Sequence, residues 1–436
     1  MYPIWEVPHL TAGMVIGLIA TFHILPSHLS TGAMWLNVWF ERKAYQENRP
    51  ELLDFVKRYS KLLLIFAYVF GSLSGVGIWF ATTVAAPRAI SGLIHNYVWG
   101  WAAEWCFFMI EVAGIYVYVY TFDKVDRKTH LNIGWVFAFA SWTTMIIIVG
   151  ILTFMLTPGV WPQTGKFFDG FFNQTYWPQL LMRTSAMFAI AGAWAVLVAS
   201  RLKDERARAS VVRTASLWGL GGLALAGVFL LWYRAVLPPP AQADLAALLR
   251  PGLKTGLIVP PALTALYFAF LGARPRAASF WPGLLAIVMI FAGIFSFERT
   301  RELIRKPYVI PGYMFSNQII GNDLPAKGIS SELPKINAEG ILKFDPFVPP
   351  ELREVTDANR LRAGRMIALI ECSSCHSLET GGIRPLPVFI KRLGAASPDD
   401  VSTVIDSLGA MPFMPGFSGT DAEKKALAAY LASIAK

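Results

Sequence analysis

The sequence has few cysteines and few charged side chains, and each shortage excludes a class of protein. Three cysteines among 436 residues exclude a disulfide framework. Charged residues make up 16% of the chain, whereas soluble domains average about a quarter. The net charge of +10 does not indicate nucleic-acid binding, because the basic residues lie in short loops between apolar runs. With 55% hydrophobic residues, the composition favours a membrane protein.

Eight apolar stretches are long enough to cross ~30 Å of hydrocarbon. They are predicted near residues 10–40, 60–86, 96–122, 132–157, 176–200, 211–235, 254–273 and 279–297. The first is too long for one upright crossing, so either Pro26 kinks it or its end projects from the bilayer. Cys106 lies in the third stretch, where we predict a buried small hydrophobe.

Lysine and arginine are concentrated in alternate loops, and this asymmetry predicts the orientation. The loops after the first, third, fifth and seventh stretches are basic and are placed in the cytoplasm. Both termini then lie outside, in the periplasm of a bacterium whose inner (cytoplasmic) membrane holds this multi-pass chain. The N-terminus "MYPIWEVPHL" has no basic segment, so we expect no cleaved signal peptide and expect the first helix to direct insertion.

A haem-attachment motif, "ECSSCHS", lies near the C-terminus. Cys372 and Cys375 have the spacing that bonds one haem c covalently, and His376 would bind its iron. Two helices are predicted around the motif. The first leads into it and contains Gly364, where another helix can approach closely. The second is "TDAEKKALAAYLASIAK", with a threonine cap and acidic residues in its first turn.

This C-terminal segment closely resembles the class I cytochromes c. The resemblance implies that a methionine from a Met-Pro loop is the sixth iron ligand, a soft thioether that raises the potential. In "GAMPFMPGFSGTD", Met414 matches the family better than the alternative, Met411. The resemblance also implies that a proline carbonyl orients the His376 ring, and Pro385 is the candidate.

The whole chain is therefore predicted to be all-α, with three parts. Residues 1–300 form a polytopic bundle of about eight helices, residues 301–357 an irregular periplasmic linker, and residues 358–436 a small cytochrome c domain. Because electrons do not cross a bilayer unaided, we expect the bundle to carry its own redox centres, one or more b-type haems.

Histidine is the usual haem ligand in a membrane, and the bundle has five. His23 stands inside the first stretch, where a titratable group needs a partner, and it is favoured as a haem ligand over a hydrogen-bonded structural role. His28 lies five residues after His23, beyond Pro26, so it need not lie on the same helix face as His23. His9 and His95 are expected near the outer surface, as ligands of a shallow haem or as interfacial residues. His130 is expected to be a solvated loop residue on the cytoplasmic side.

Three further charges fall within apolar stretches. Glu104 and Glu111 are seven residues apart and share one helix face, where carboxylates can pass protons. Arg183 would bind a propionate or a carboxylate, and the alternative is a structural Glu–Arg pair. A basic group after the eighth stretch is interpreted as solvated by headgroups, or as binding haem propionates or a quinone headgroup: Arg299, Arg301, Arg305 and Lys306.

The bundle resembles the large, haem-bearing subunit of cytochrome bd quinol oxidases over roughly residues 10–310. The matching segments are "FHILPSHLSTG", "FGSLSGVGIWFATT", "AAEWCFFMIEVAGIYVYVYTFDKVDRKTH" and "FAGIFSFERTRELIRKPYVI". The resemblance implies that His23 binds the haem of the oxygen site and that Glu104 and Glu111 serve proton entry.

The chain departs from that family at several implied ligands. Arg183 replaces a fifth-helix histidine, and the seventh stretch lacks the methionine that completes the family's low-spin haem b site. Phe291 aligns with a glutamate ligand, with Glu298 nearby but shifted. The quinol-binding loop is reduced to "LPPPAQADLAALLRPG".

The sequence thus predicts an electron-transfer subunit of a respiratory chain. It would exchange electrons between membrane quinone and a periplasmic redox protein through haem b and haem c. The alternatives are a terminal oxidase fed by cytochrome c and a haem c anchor for a periplasmic oxidoreductase. Membrane lipid and other membrane subunits are the expected partners, and quinone is a further candidate cofactor.

Overall fold

The computed structural model describes residues 2–395 and 397–435 and is almost entirely helical, which confirms the predicted all-α class. The helices are α1 (Ala12–Gln46), α2 (Glu51–Leu62), α3 (Gly71–Ala85), α4 (Pro87–Asn96), α5 (Val98–Tyr120), α6 (Arg127–Phe154), α7 (Trp161–Thr164), α8 (Phe167–Phe171), α9 (Tyr176–Ala199), α10 (Glu205–Ala235), α11 (Pro239–Leu248), α12 (Pro251–Ala273), α13 (Phe280–Leu303), α14 (Leu333–Glu339), α15 (Ile341–Phe344), α16 (Arg360–Glu371), α17 (Leu386–Arg392), α18 (Pro398–Asp406) and α19 (Asp421–Ile434). A π-helical segment, Leu63–Phe70, joins α2 to α3. The strands β1 (Tyr308–Ile310) and β2 (Met314–Phe315) pair antiparallel.

Eight helices within the described residues are long and apolar enough to cross a membrane, as the sequence predicted. They are α1, the continuous α2–α3 unit, α5, α6, α9, α10, α12 and α13. Helix α1 continues through Pro26 for 35 residues, or ~52 Å, so its end projects beyond the ~30 Å of hydrocarbon. Helix α13 continues to Leu303, past the predicted end at residue 297.

The bundle core is built where apolar side chains recur at helical spacing. On α1, Leu29, Met34 and Val38 are fully buried against α6 and α9. Helices α9 and α10 pack closely at small residues: a Cβ built on Gly192 would lie 2.7 Å from the carbonyl oxygen of Ala215, and one on Gly222 would lie 2.5 Å from that of Ser185. A polar N-cap starts α1, since the Thr11 hydroxyl accepts from the backbone N–H of Met14 at 3.2 Å.

The C-terminal domain is built on the crossing of α16 and α19. The threonine cap is present: Thr420 and Glu423 form a capping box at the start of α19. Glu423 also accepts the backbone N–H groups of Ile341 and Leu342 at 3.0 and 2.8 Å. Those two side chains lie in the same core as the domain, so part of the predicted linker belongs to the packed C-terminal unit.

The C-terminal domain packs against one end of the bundle, here named the docked end. A Cβ built on Gly13 of α1 would lie 3.4 Å from the carbonyl oxygen of Ser374. Ser374 stands between the two cysteines of the haem-attachment motif. The N–H of Ile383 donates to the carbonyl of His9 at 2.8 Å. The first turns of α1 therefore contact the haem-attachment loop directly.

Candidate redox site

The haem-attachment residues occupy one tight turn at the end of α16. The N–H groups of Cys375 and His376 both donate to the carbonyl of Cys372, at 3.1 and 2.9 Å. This turn brings both thiols and the imidazole to one side of the chain. All three side chains are partly shielded from solvent. The Phe389 ring meets the His376 ring edge-on, with the ring centroids 5.7 Å apart.

The His376 ring is prepared to bind a metal ion. Its Nδ1 donates to a backbone carbonyl at 2.9 Å, which leaves Nε2 with a free lone pair. Burial lowers the pKa of His376 to about 4, so the ring is neutral near pH 7. The accepting carbonyl belongs to Arg384, and the prediction of Pro385 was wrong by one residue. The carbonyl of Pro385 is already used, because it accepts from the N–H of Phe389 at the start of α17.

The two candidate methionines belong to one turn in the loop before α19. The N–H of Met414 donates to the carbonyl of Met411 at 3.2 Å. Both side chains are partly exposed. The residues present therefore fit a c-type haem, and the choice between Met414 and Met411 stays a prediction.

In the bundle, His23 has the arrangement expected of a haem ligand. Its Nδ1 lies 3.1 Å from the carbonyl of Gly71 and 3.1 Å from the Ser74 hydroxyl, both on α3. Its Nε2 has no hydrogen bond to any described residue. Since a donating Nδ1 leaves Nε2 unprotonated, the residue fits an axial ligand.

His28 lies on a different network from His23. Its Nε2 is 3.3 Å from Nη1 of Arg183, and Arg183 in turn donates to Glu298 at 2.6 Å. Arg301 holds the other oxygen of that carboxylate at 2.9 Å. A guanidinium has no acceptor and no ligating lone pair, so these residues do not fit the second haem site implied by the sequence resemblance. Phe291 gives no ligand either, because a phenyl ring has no donor atom; its ring packs against that of Phe22, with the centroids 5.0 Å apart.

The predicted carboxylates of α5 occupy a polar level within the bundle. Glu111 is buried and lies 3.1 Å from the Tyr68 hydroxyl and 3.5 Å from the Ser30 hydroxyl. Glu104 is two turns nearer the docked end and is half-buried. The predicted common face is therefore observed, with Glu111 as its buried member.

His130 is buried, so its prediction as a solvated loop residue was wrong. Its Nδ1 lies 2.6 Å from Glu41, a fully buried carboxylate near the end of α1, and its Nε2 lies 2.9 Å from the carbonyl of Tyr118. The Tyr118 hydroxyl donates to the same carboxylate at 2.5 Å. Glu41 was not among the predicted residues, although its spacing from Met34 and Val38 places it on the buried face of α1.

Three other predicted residues lie at the surface. His9 is exposed, and its ring meets Glu379 of the C-terminal domain at 3.1 Å. His95 is exposed, and its Nδ1 bonds the carbonyl of Ser91 at 2.8 Å. Cys106 is also exposed on the outside of the bundle, and its prediction as a buried hydrophobe was wrong.

The basic group lies at the boundary between the bundle and the C-terminal domain. Arg299 and Arg301 belong to the last turns of α13 and do not follow it. Arg299 donates to Glu302, and Lys306 lies 2.9 Å from the same carboxylate. The side chain of Arg384 approaches Glu302 at 3.9 Å from the other domain.

The chain joins a bundle of eight membrane-spanning helices, with His23 inside the first, to a domain that carries a haem-attachment motif. This combination defines a membrane-bound cytochrome of the electron-transport class. The family model for cytochrome bd terminal oxidase subunit I matches residues 12–237, just over half of the chain. The chain therefore belongs to that family. Residues 359–431 match the family model for cytochrome c oxidase, cbb3-type, subunit III. These families imply haem b and haem c.

Among solved structures that match, one example shares the fold over most of the chain. It is the bd oxidase from Geobacillus thermodenitrificans, with a TM-score of 0.61 and 13% sequence identity. The similarity covers 73% of this chain and 90% of that one. No curated protein sequence matches significantly.

Proposed function

We propose that this chain moves electrons between a b-type haem held by His23 and a c-type haem held by Cys372, Cys375 and His376. The membrane quinone pool is the partner on one side, and a periplasmic redox protein is the partner on the other. Haem c supplies one-electron exchange at the docked end. The chain's own part is to fix both axial histidines and the distance between them.

The contact between Gly13 and Ser374 carries this proposal. Ser374 stands between the two haem-bonding cysteines, and Gly13 begins the helix that bears His23. The two α1 residues are ten positions apart, which is a rise of ~15 Å along the axis. The haem-attachment loop therefore contacts the same helix that bears His23, ~15 Å along its axis from that histidine, which supports electron exchange between the two proposed haems.

A haem count on a matched pair of variants tests this proposal. Alkaline pyridine spectra of purified protein are expected to show haem b and haem c in the wild type. They should show haem c alone in His23→Ala. His95→Ala is the control, since that ring is exposed and its hydrogen bonds to described residues stay within α4, and it should keep both signals. A wild-type spectrum with haem c alone would refute the proposal and would favour a membrane anchor for a periplasmic oxidoreductase.

The polar residues of α5 favour a second candidate, a terminal oxidase that receives electrons from cytochrome c. Ser30 of α1 meets Glu111 of α5, and Glu41 of α1 meets Tyr118 of α5, so the two helices run in the same direction. His23 precedes Ser30 by seven residues, and Glu104 precedes Glu111 by seven. Both therefore lie ~10 Å nearer the docked end than the Ser30–Glu111 pair.

A carboxylate at the level of His23 can supply the protons that oxygen reduction consumes. Oxygen uptake with reduced cytochrome c is expected to be lost in His23→Ala and slowed in Glu104→Gln. No uptake by the wild type, with any donor, would exclude this second candidate. The two proposals place different demands on Glu104, because electron exchange alone does not require it.

The proposed setting is the inner membrane of a bacterium, with the C-terminal domain on the periplasmic face. This orientation rests on the basic residues at the opposite end of the bundle, which include Lys57 of α2, Lys124 of the loop after α5 and Arg206 of α10. Other membrane subunits of a respiratory complex are the proposed neighbours, together with lipid.

A further inference from the structure

Four cations surround a single carboxylate between α13 and the C-terminal domain. We name them the Glu302 cluster: Arg299, Arg305, Lys306 and Arg384 around Glu302. Lys306 and Arg299 are largely shielded, with 6% and 16% of their side chains exposed. Arg384 adds a cation from the other domain, 20% exposed. The cluster therefore encloses an excess of positive charge that Glu302 alone does not balance.

Two guanidinium groups of the cluster each have a buried N–H that finds no acceptor among the described residues. The Nε atoms of Arg305 and Arg384 are buried, with no hydrogen-bond partner. Among described residues, the only acceptor that the Arg305 side chain reaches is the sulfur of Met155, at 3.7 Å. Burial, with the neighbouring charge of Arg301, lowers the pKa of Arg305 to about 10. A buried charge without a partner is destabilising, so these two groups favour an anionic ligand.

The Glu302 cluster lies against the haem-attachment turn. The carbonyl of Arg384 orients His376, while the guanidinium of the same residue reaches toward Glu302. Arg384 therefore joins the haem-attachment turn to the cluster, and a haem bonded at Cys372 and Cys375 would lie beside these cations.

We infer that the Glu302 cluster binds the two propionate carboxylates of the haem c, with Arg305 and Arg384 as donors. This rests on the proposed function, because it requires haem at Cys372 and Cys375. A haem brings two carboxylates with it, and paired N–H groups of arginine match a carboxylate better than any other side chain does. The propionates would supply the negative charge that the cluster lacks, and they would join the two domains through the cofactor.

The inference predicts a shift in the midpoint potential of haem c. Cations beside the propionates favour the reduced, more negative haem. Arg305→Gln and Arg384→Gln are each expected to move the equilibrium about tenfold toward the oxidised form, which is ~59 mV for one electron. The His376 bond to the backbone of residue 384 survives the second substitution. Arg392→Gln removes the same charge from an exposed position on α17 and should leave the potential unchanged.

The experiment is a spectroelectrochemical titration of the full-length protein in detergent, with haem c content measured alongside. Arg305→Lys keeps the charge without the forked donor geometry, and it should recover part of the shift. Haem c present with an unchanged potential in both glutamine variants would overturn the inference. An unchanged potential with less co-purifying phospholipid phosphorus would instead assign the cluster to a lipid headgroup. Absence of haem c from the wild type would refute the proposed function itself.

Discussion

Gly364 controls whether α16 and α19 can pack, and its replacement by alanine tests how the C-terminal domain is held together. A Cβ at this position would lie 2.1 Å from the carbonyl oxygen of Ala426 and 2.7 Å from the Cβ of Tyr430. Neither atom is the flexible end of a side chain, so the helices themselves must separate. Haem attachment begins where α16 ends, so this shift would be transmitted to Cys372.

The magnitude follows from two opposed effects. Overpacking a core contact typically costs ~1–3 kcal/mol, and alanine returns ~1 kcal/mol through its better helix propensity. The added Cβ meets a backbone oxygen at 2.1 Å, which places this site at the upper end of the overpacking range. We therefore expect Gly364→Ala to lose ~2 kcal/mol, which lowers the melting temperature of a domain this size by roughly 8–16 °C.

Thermal melting followed by haem c absorbance measures this change. The control is Gly221→Ala on α10, where nothing lies within 4 Å of the added Cβ, and melting should be unchanged or slightly higher. Equal melting of Gly364→Ala and the wild type would refute the close-contact argument. A domain that no longer acquires haem c would show that the contact is required before attachment.

Three further predictions concern other parts of the chain. Met414→Leu should abolish the low-spin spectrum of reduced haem c and Met411→Leu should keep it; the reverse pattern would assign the sixth ligand to Met411. His130→Phe removes the imidazole partner of the buried Glu41 carboxylate, which then keeps only the Tyr45 and Tyr118 hydroxyls. We expect a loss of ~1–3 kcal/mol in detergent unfolding, and a melting temperature like that of the wild type would contradict this. Burial raises the pKa of Asp244 from 3.8 to about 6, so the folded state favours the protonated carboxyl. The stability of the protein therefore falls as the pH rises between these two pKa values. Asp244→Asn should therefore stabilise the protein more at about pH 8 than at about pH 4, and an equal effect at both would show that Asp244 does not titrate in this way.

The sequence determined those features of the protein that depend on local pattern. Length and hydropathy gave eight spans, because crossing a bilayer requires about 20 apolar residues in series. The spacing of Cys372, Cys375 and His376 indicated haem attachment, and the capping box at Thr420 was visible as a threonine followed by acidic residues. Each of these signals lies within a few residues of chain.

The tertiary structure decided which residues are partners across helices. His130 looked solvated beside a basic loop, yet α1 places Glu41 against it. Arg183 was a lone charge in the sequence, and Glu298 approaches it from a helix more than a hundred residues later. The carbonyl that orients His376 belongs to Arg384 and not to Pro385, because the Pro385 carbonyl accepts a hydrogen bond in the first turn of α17. Such pairings are decided by packing, since burying a charge is tolerated only where another element brings its partner.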